Sequence, residues 1–178
     1  MSTLAEHVTT VACFTPFRDG SPSMWEQAQA SVPFYDVDQP SNLLALTAKA
    51  AFGDAKAQRE LACFALYTAL QGGEETDRLA YVVEGLMVAR MAAAQGDVDD
   101  QFLCAAMLSF AAVMSEGESA VMFAGEALAR MELLADEPGD IGEQAAQIVT
   151  MCAEAEAPEV MHFAKMFRDD LVAAKGVI

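Results

Sequence analysis

A six-residue pattern, Gly-Asp-x-x-x-Gln, occurs three times in this chain of 178 residues. The copies begin at Gly53, Gly96 and Gly139, so successive copies are 43 residues apart. A constant interval of this size, with helix-forming sequence between the marks, is typical of repeat proteins whose unit is a pair of helices. The pattern therefore predicts a stack of helix pairs.

The first two residues of each copy predict a junction between two helices. Glycine readily adopts the left-handed conformation that ends a helix, and aspartate is a favoured N-cap residue. Gly53 is thus expected to close one helix and Asp54 to open the next, and the same holds for the other copies. At the third copy, the spacing of Asp140 and Glu143 predicts a capping box.

Apolar residues at helical spacing predict a helix between each pair of breaks in the sequence. Frequent Ala, Leu, Met and Glu, with few β-branched or aromatic stretches, favour an all-α protein. Residues 102–114 are apolar nearly all round, which predicts a fully covered helix. In the helix before it, five residues are expected to mark one face: Leu79, Val82, Val83, Leu86 and Met87. The predicted helices cover 41–52, 54–71, 76–95, 97–114, a segment from the turn at 115–117 to 134, a segment opening at 140, and 159–175.

The first forty residues differ in composition from the rest, since they hold four of the six prolines and the only tryptophan. Closely spaced prolines disfavour long helices. We expect residues 1–40 to form a proline-rich arm or cap over the first repeat, because end repeats need a cover. The alternative is an arm that becomes ordered on a partner. Residues 41–178 are expected to form a single helical-repeat domain.

Three segments together resemble the Sel1-like subfamily of tetratricopeptide-type repeats. They are Gly53-Asp-Ala-Lys-Ala-Gln-Arg-Glu-Leu-Ala62, the turn with Gly72-Gly73 and Asp77, and Ala92-Ala-Ala-Gln-Gly-Asp97. The resemblance covers roughly residues 41–155. It implies a right-handed α-α superhelix of about three helix pairs, with capping segments at both ends. It also implies a scaffold for protein contacts without catalysis, whose concave side is lined by the helices that start at Asp54, Asp97 and Asp140.

The charge of the chain is strongly negative, −17 from 27 acidic and 10 basic residues. From Glu60 to Val160 there are 19 acidic residues and three arginines. Such a surface repels phosphate backbones and anionic lipids, so nucleic acid and membrane surfaces are not expected as partners. A basic protein would be attracted. The alternative interpretation is that the acidity only keeps an apolar-rich protein in solution.

Several features indicate a cytoplasmic protein. No basic segment followed by an apolar run opens the chain, so no secretory signal is predicted. The longest uncharged stretch, residues 101–115, is 15 residues long, which is too short to span a bilayer. The cysteines lie far apart without a CxxC pair, which predicts reduced thiols: Cys13, Cys63, Cys104 and Cys152.

Five residues are candidates for contact with a protein partner. Gln58, Gln101 and Gln144 occupy equivalent positions in the three copies, so a regular stack would place them in a line. One interpretation is that they recognise a peptide backbone, and the other is that they hydrogen-bond to the adjacent turn. Tyr67 and Trp25 are candidates because large aromatic side chains anchor interfaces. For Trp25 the alternative is a plug that fixes the arm to the core.

The sequence offers little for catalysis or metal binding. Glu159 and His162 have the Glu-x-x-His spacing of di-iron bundles, but such sites need a second copy and two more glutamates, and His7 is the only other histidine. No nucleophile motif or phosphate-binding loop is present. We therefore expect no enzyme activity and no cofactor.

The combined prediction is a non-enzymatic protein–protein interaction scaffold of the helical-repeat type. Its expected partner is a protein or peptide, and the sequence leaves open both a basic character of that partner and a homodimer. One alternative is an acidic inhibitor or immunity-type protein that masks a basic enzyme. Another is a helical metal protein that uses Glu159 and His162.

Overall fold

The computed structural model describes residues 40–70, 74–154 and 157–175, and in these ranges the chain is all-α, as predicted. Cys13, Trp25 and the arm as a whole lie outside the described residues. Each helix boundary that the sequence predicts agrees with the observed boundary to within two residues. The helices are α1 (Pro40–Ala51), α2 (Ala55–Leu70), α3 (Glu75–Ala93), α4 (Val98–Met114), α5 (Gly117–Leu134), α6 (Asp140–Glu154) and α7 (Pro158–Lys175).

The chain divides into two compact units, with the boundary inside α4 between Met107 and Leu108. In the described part of the first unit, α1 packs on α2 and α2 packs on α3. Gly85 of α3 permits a close approach, since a Cβ there would lie 2.6 Å from Ala65 Cβ and 2.6 Å from Met107 Cε. Small residues thus bring α2, α3 and the first half of α4 together.

The first two Gly-Asp junctions have the predicted chemistry. Gly53 and Gly96 have φ angles of 89° and 90°, the left-handed conformation that favours glycine. At the first junction, the backbone N–H of Asp54 bonds Lys49 O at 3.1 Å and that of Gly53 bonds Ala50 O at 3.0 Å, the pair of bonds of a Schellman motif. Asp54 then caps α2 by accepting the Ala57 N–H at 3.1 Å.

The third junction departs from the prediction by one residue. Gly139 has a φ of 96°, but α6 begins at Asp140 itself, whereas α2 begins one residue after Asp54. The backbone N–H of Glu143 bonds Gly139 O at 3.1 Å, so Gly139 takes the position that Asp54 holds at the first junction. The expected Asp140 capping box is therefore replaced by a glycine cap. The carbonyl oxygen of Glu137 lies at the position that a Cβ atom on residue 142 would occupy, and glycine has no such atom.

In the described part of the second unit, α5 packs against both α6 and α7. Ala120, Ala124, Leu128 and Met131 of α5 are buried, and Phe123 on the same helix is half-buried. Gly125 lies on the α7 side of the helix, where a Cβ would come within 2.5 Å of Phe163 Cβ. Contact between α5 and α7 at this point therefore requires glycine.

The predicted covered helix is buried over residues 102–112 of α4, but Val113 at its end is 41% exposed. None of the helices in the described ranges combines the length and apolarity that crossing a bilayer requires. Cys63, Cys104 and Cys152 are buried, as expected of core thiols. Burial raises the pKa of the Cys63 thiol to about 12, although the nearby Arg59 charge opposes the shift. A thiol of this kind is a poor nucleophile at neutral pH.

Candidate interaction surface

Two of the three repeated glutamines connect neighbouring helices rather than facing solvent. Gln58 is buried, its Nε2 donates to Ala50 O at 3.0 Å, and its Oε1 accepts a hydrogen bond from Gln95 Nε2 at 2.9 Å. Gln101 Nε2 donates to Ala93 O at 2.5 Å. Each acceptor lies eight residues before its glutamine, near the end of the preceding helix, where carbonyls lack helical partners. The hydrogen-bonding interpretation is thus confirmed for these two residues.

The structure says less about the other three predicted interaction residues, Gln144, Tyr67 and Trp25. Gln144 is half-buried and, because α6 starts one residue early, sits one position further into its helix than Gln58 does in α2. Within the described ranges it makes no counterpart of the Gln58 bond to the preceding helix. The side chain of Tyr67 and the whole of Trp25 lie outside the described residues, so their proposed roles stay predictions.

Replacing Gln58 with leucine should lower the free energy of unfolding by about 2 kcal/mol, because a buried carbonyl and the Gln95 amide lose their partner. The measurement is urea unfolding followed by circular dichroism. Gln147→Leu is the matched control, since Gln147 is exposed on α6 and a surface change should stay within about 0.5 kcal/mol. Equal effects of the two substitutions would contradict a structural role for Gln58.

An ion-pair cluster joins α2 to α4 in the first unit. Arg59 Nε and Nη2 donate to the two carboxylate oxygens of Asp100 at 2.5 and 2.9 Å, and Nη2 also lies 2.9 Å from Asp97 Oδ1. The Asp100 side chain is fully buried, whereas that of Arg59 is 24% exposed. The hydrogen bond to Asp100 raises the pKa of Arg59 well above its usual range. The cluster connects the start of α2 to the start of α4.

A second ion pair lies within α5. Arg130 donates from Nη2 to Glu126 Oε1 at 2.9 Å, and both side chains are buried. The partner of Arg130 therefore lies four residues earlier in the same helix. Such a pair fixes a local geometry at the cost of removing two charges from water.

The exposed face of α3 is the largest departure from the predicted burial. Leu79, Val82 and Leu86 point inward as expected, but Val83 and Met87, assigned to the same face, do not. Met87 is 64% exposed, and Val83 and Met91, four residues before and after it, are 41% and 48% exposed. These three residues form an apolar stripe on the solvent side of the helix. With Tyr81, Asp77 and Glu84, which are also exposed, they are called the α3 face below.

Sequence patterning could not have separated the α3 face from the buried side of the same helix. Apolar residues occur around most of α3, so periodicity indicates a helix without showing which side is covered. The sequence does show that Val83 and Met87 lie about 100° of helical rotation away from Val82 and Leu86, but it does not show which of the two pairs is covered. Large exposed apolar side chains grouped on one face are a feature that interaction surfaces share.

In the part of the chain that the structure describes, Glu159 and His162 have no metal-binding surroundings. Both residues are exposed on α7, and the His162 ring contacts Phe163 edge-on with centroids 5.8 Å apart. Across the described ranges, no group of three or more His, Cys, Asp or Glu side chains is placed to hold a metal ion.

Comparison of the chain with protein-family models, with curated proteins and with solved structures gave no match. The Sel1-like resemblance therefore stays a prediction from the three quoted segments. The geometry of the junctions and the exposed α3 face are the observations on which a function is proposed.

Proposed function

We propose that the protein is a non-enzymatic protein-interaction module built as a tetratricopeptide-type solenoid. The observation that carries this proposal is the recurrence of one junction at an interval of 43 residues, with glycine, aspartate and glutamine in the same roles. Gly53 and Gly96 end helices, and Gln58 and Gln101 bond the carbonyls behind them. Repetition of one local geometry is how solenoids propagate a stack.

Contacts between the first two repeats support the same architecture. The Arg59–Asp100 pair joins α2 to α4, and Gln95 at the end of α3 bonds Gly53 O at 3.3 Å beside the end of α1. Both contacts lie at the junction end of the first two repeats, where their equivalent helices meet. The altered third junction fits a terminal repeat, which commonly departs from the consensus of its array.

The proposal of binding rather than chemistry rests on exposed apolar side chains. Leu44 of α1 is 76% exposed, Phe52 just after α1 is 93% exposed, and Met87 of α3 follows at 64%. Leu44 and Met87 are 43 residues apart, so they hold equivalent positions in successive repeats. Regularly placed apolar side chains on a helical scaffold provide the contact area that a protein partner buries.

The experiment is selection of a displayed random-peptide library against the intact chain, followed by calorimetry with the enriched peptides. We expect peptides that bind the folded chain with 1:1 stoichiometry and lose binding when the chain is unfolded in urea. If the selection enriches nothing beyond what a blank surface enriches, the binding function is wrong.

A further inference from the structure

We propose that the α3 face docks a cationic amphipathic helix of a partner protein. This inference rests on the proposed binding function and adds the surface and the chemical class of the partner. Its starting point is that apolar and acidic side chains share one exposed side of one helix, which matches a partner with apolar and basic side chains.

The geometry of the α3 face sets the size of its partner. Val83, Met87 and Met91 follow one another at intervals of four residues, which in an α-helix keeps them on one side. From Asp77 to Met91 the face is about 21 Å long at 1.5 Å per residue. A partner helix of about four turns would cover it from end to end.

The backbone of α3 favours a helix over an extended peptide as the partner. An extended peptide gains affinity by pairing with free backbone groups at a sheet edge, and a helix interior has none to offer. What remains is packing of side-chain ridges into grooves, which is how helices associate. Methionine is unbranched and polarisable, so Met87 and Met91 can adapt to the side chains of an incoming helix.

The charges around the apolar stripe select a basic partner. Asp77 and Glu84 are exposed beside it. The two arginines of α3, Arg78 and Arg90, are half-buried, and Arg78 Nε is engaged with Ala69 O at 2.8 Å. The face therefore presents carboxylates without an exposed cation on the same helix, and lysines or arginines flanking an apolar strip would complement them.

The same charges disfavour the other occupants. A second copy of the chain would bring its own Asp77 and Glu84 towards those of the first, and like charges repel. Residues 1–39 contain five acidic residues and one arginine, so this segment carries the wrong charge as well. Anionic lipid is repelled for the same reason.

The probe for the experiment is a fluorescein-labelled, end-blocked peptide of 16 residues containing only leucine and lysine, with the leucines on one helical face. Two further peptides serve as comparisons: one with glutamate in place of lysine, and one with the same leucines and lysines distributed around the helix. Binding to the intact chain is measured by fluorescence anisotropy at several salt concentrations. We expect the first peptide to bind at least tenfold more tightly than either comparison peptide, with affinity that falls as salt rises.

Substitutions then locate the binding site. Met87→Gln with Met91→Gln should weaken binding of the basic peptide at least tenfold, because the apolar contact is lost. Asp77→Asn with Glu84→Gln should weaken it several-fold and reduce its salt dependence. The matched control is Met161→Gln with Met166→Gln, which changes two methionines of α7 that are 40% and 46% exposed, and it should leave binding unchanged. Circular dichroism checks that each variant is folded.

Three results would overturn the inference. The first is equal weakening by the α3 and α7 methionine variants. The second is tight binding of the glutamate peptide. The third is protection of Met87 and Met91 from oxidation in the free chain to the level of the buried Met107, which would mean that residues 1–39 or a second copy already cover the face. If library peptides bind the chain without protecting Met87 and Met91 from oxidation, the proposed binding function is supported and the proposed docking site on α3 is wrong.

Discussion

Replacement of Arg59 with methionine is expected to lower the free energy of unfolding by about 3 kcal/mol, the largest single effect among the predictions made for this protein. The carboxylate of Asp100 has no exposure to solvent and receives two hydrogen bonds from the guanidinium. Methionine fills similar volume but leaves that carboxylate buried without a cation. Urea unfolding monitored by circular dichroism measures the loss.

Two further variants test the cause of this loss. The double variant Arg59→Met with Asp100→Leu should return to within about 1 kcal/mol of the wild type, because an apolar pair often replaces a buried ion pair without cost. Lys56→Met removes the exposed partner of Glu60 on the same helix and should change stability by less than about 0.5 kcal/mol. If the double variant is as unstable as the single one, the buried charge is not the cause.

Gly125→Ala is expected to destabilise the protein by about 2 kcal/mol, because the added methyl group overpacks a tight contact. The new Cβ would lie 2.5 Å from Phe163 Cβ, 3.1 Å from Ala164 N and 3.2 Å from Phe163 C. Two of these three neighbours are backbone atoms, so a side-chain rotation cannot relieve the clash. The α5–α7 contact must open instead, and thermal and urea unfolding would report the lower stability.

The control for Gly125 uses the same new residue in the same helix. Ser119→Ala lies on the exposed side of α5, where alanine should raise stability by a few tenths of a kcal/mol through its higher helix propensity, about 0.5 at most. If there were space for the added methyl group, Gly125→Ala would also gain stability from the higher helix propensity of alanine. A stabilised Gly125→Ala variant would therefore show that α5 and α7 do not approach as closely as described.

Local chemistry made the helix boundaries predictable. Gly53 and Asp54 needed only their own conformational and capping preferences to end α1 and begin α2, and the structure follows them. The third junction shows the limit of this reasoning. There the sequence again has Gly-Asp, yet Glu137 folds over Gly142 and the helix begins one residue earlier. The conformation of the loop before α6, and not residue type alone, goes with this earlier start.

The candidate surface depended more heavily on tertiary structure. Val83 and Met87 are as apolar as Val82 and Leu86, and only the packing of α2 against α3 shows which pair is covered. Gln58 and Gln101 were found from sequence as two of three repeated glutamines, but their role depends on Ala50 O and Ala93 O, carbonyls that every residue possesses. Nothing in residue type distinguishes such acceptors before the chain is folded.

The sequence by itself determined the all-α class, the helix boundaries and the 43-residue interval, because each follows from preferences that act over a few residues. Tertiary structure decided that Arg59 meets Asp100, 41 residues away, and that Gln58 meets Gln95, 37 residues away. It also decided that α3 turns Met87 and Met91 to solvent. The physical reason is that capping and helix propensity are local, whereas burial and ion pairing depend on which helix lies alongside.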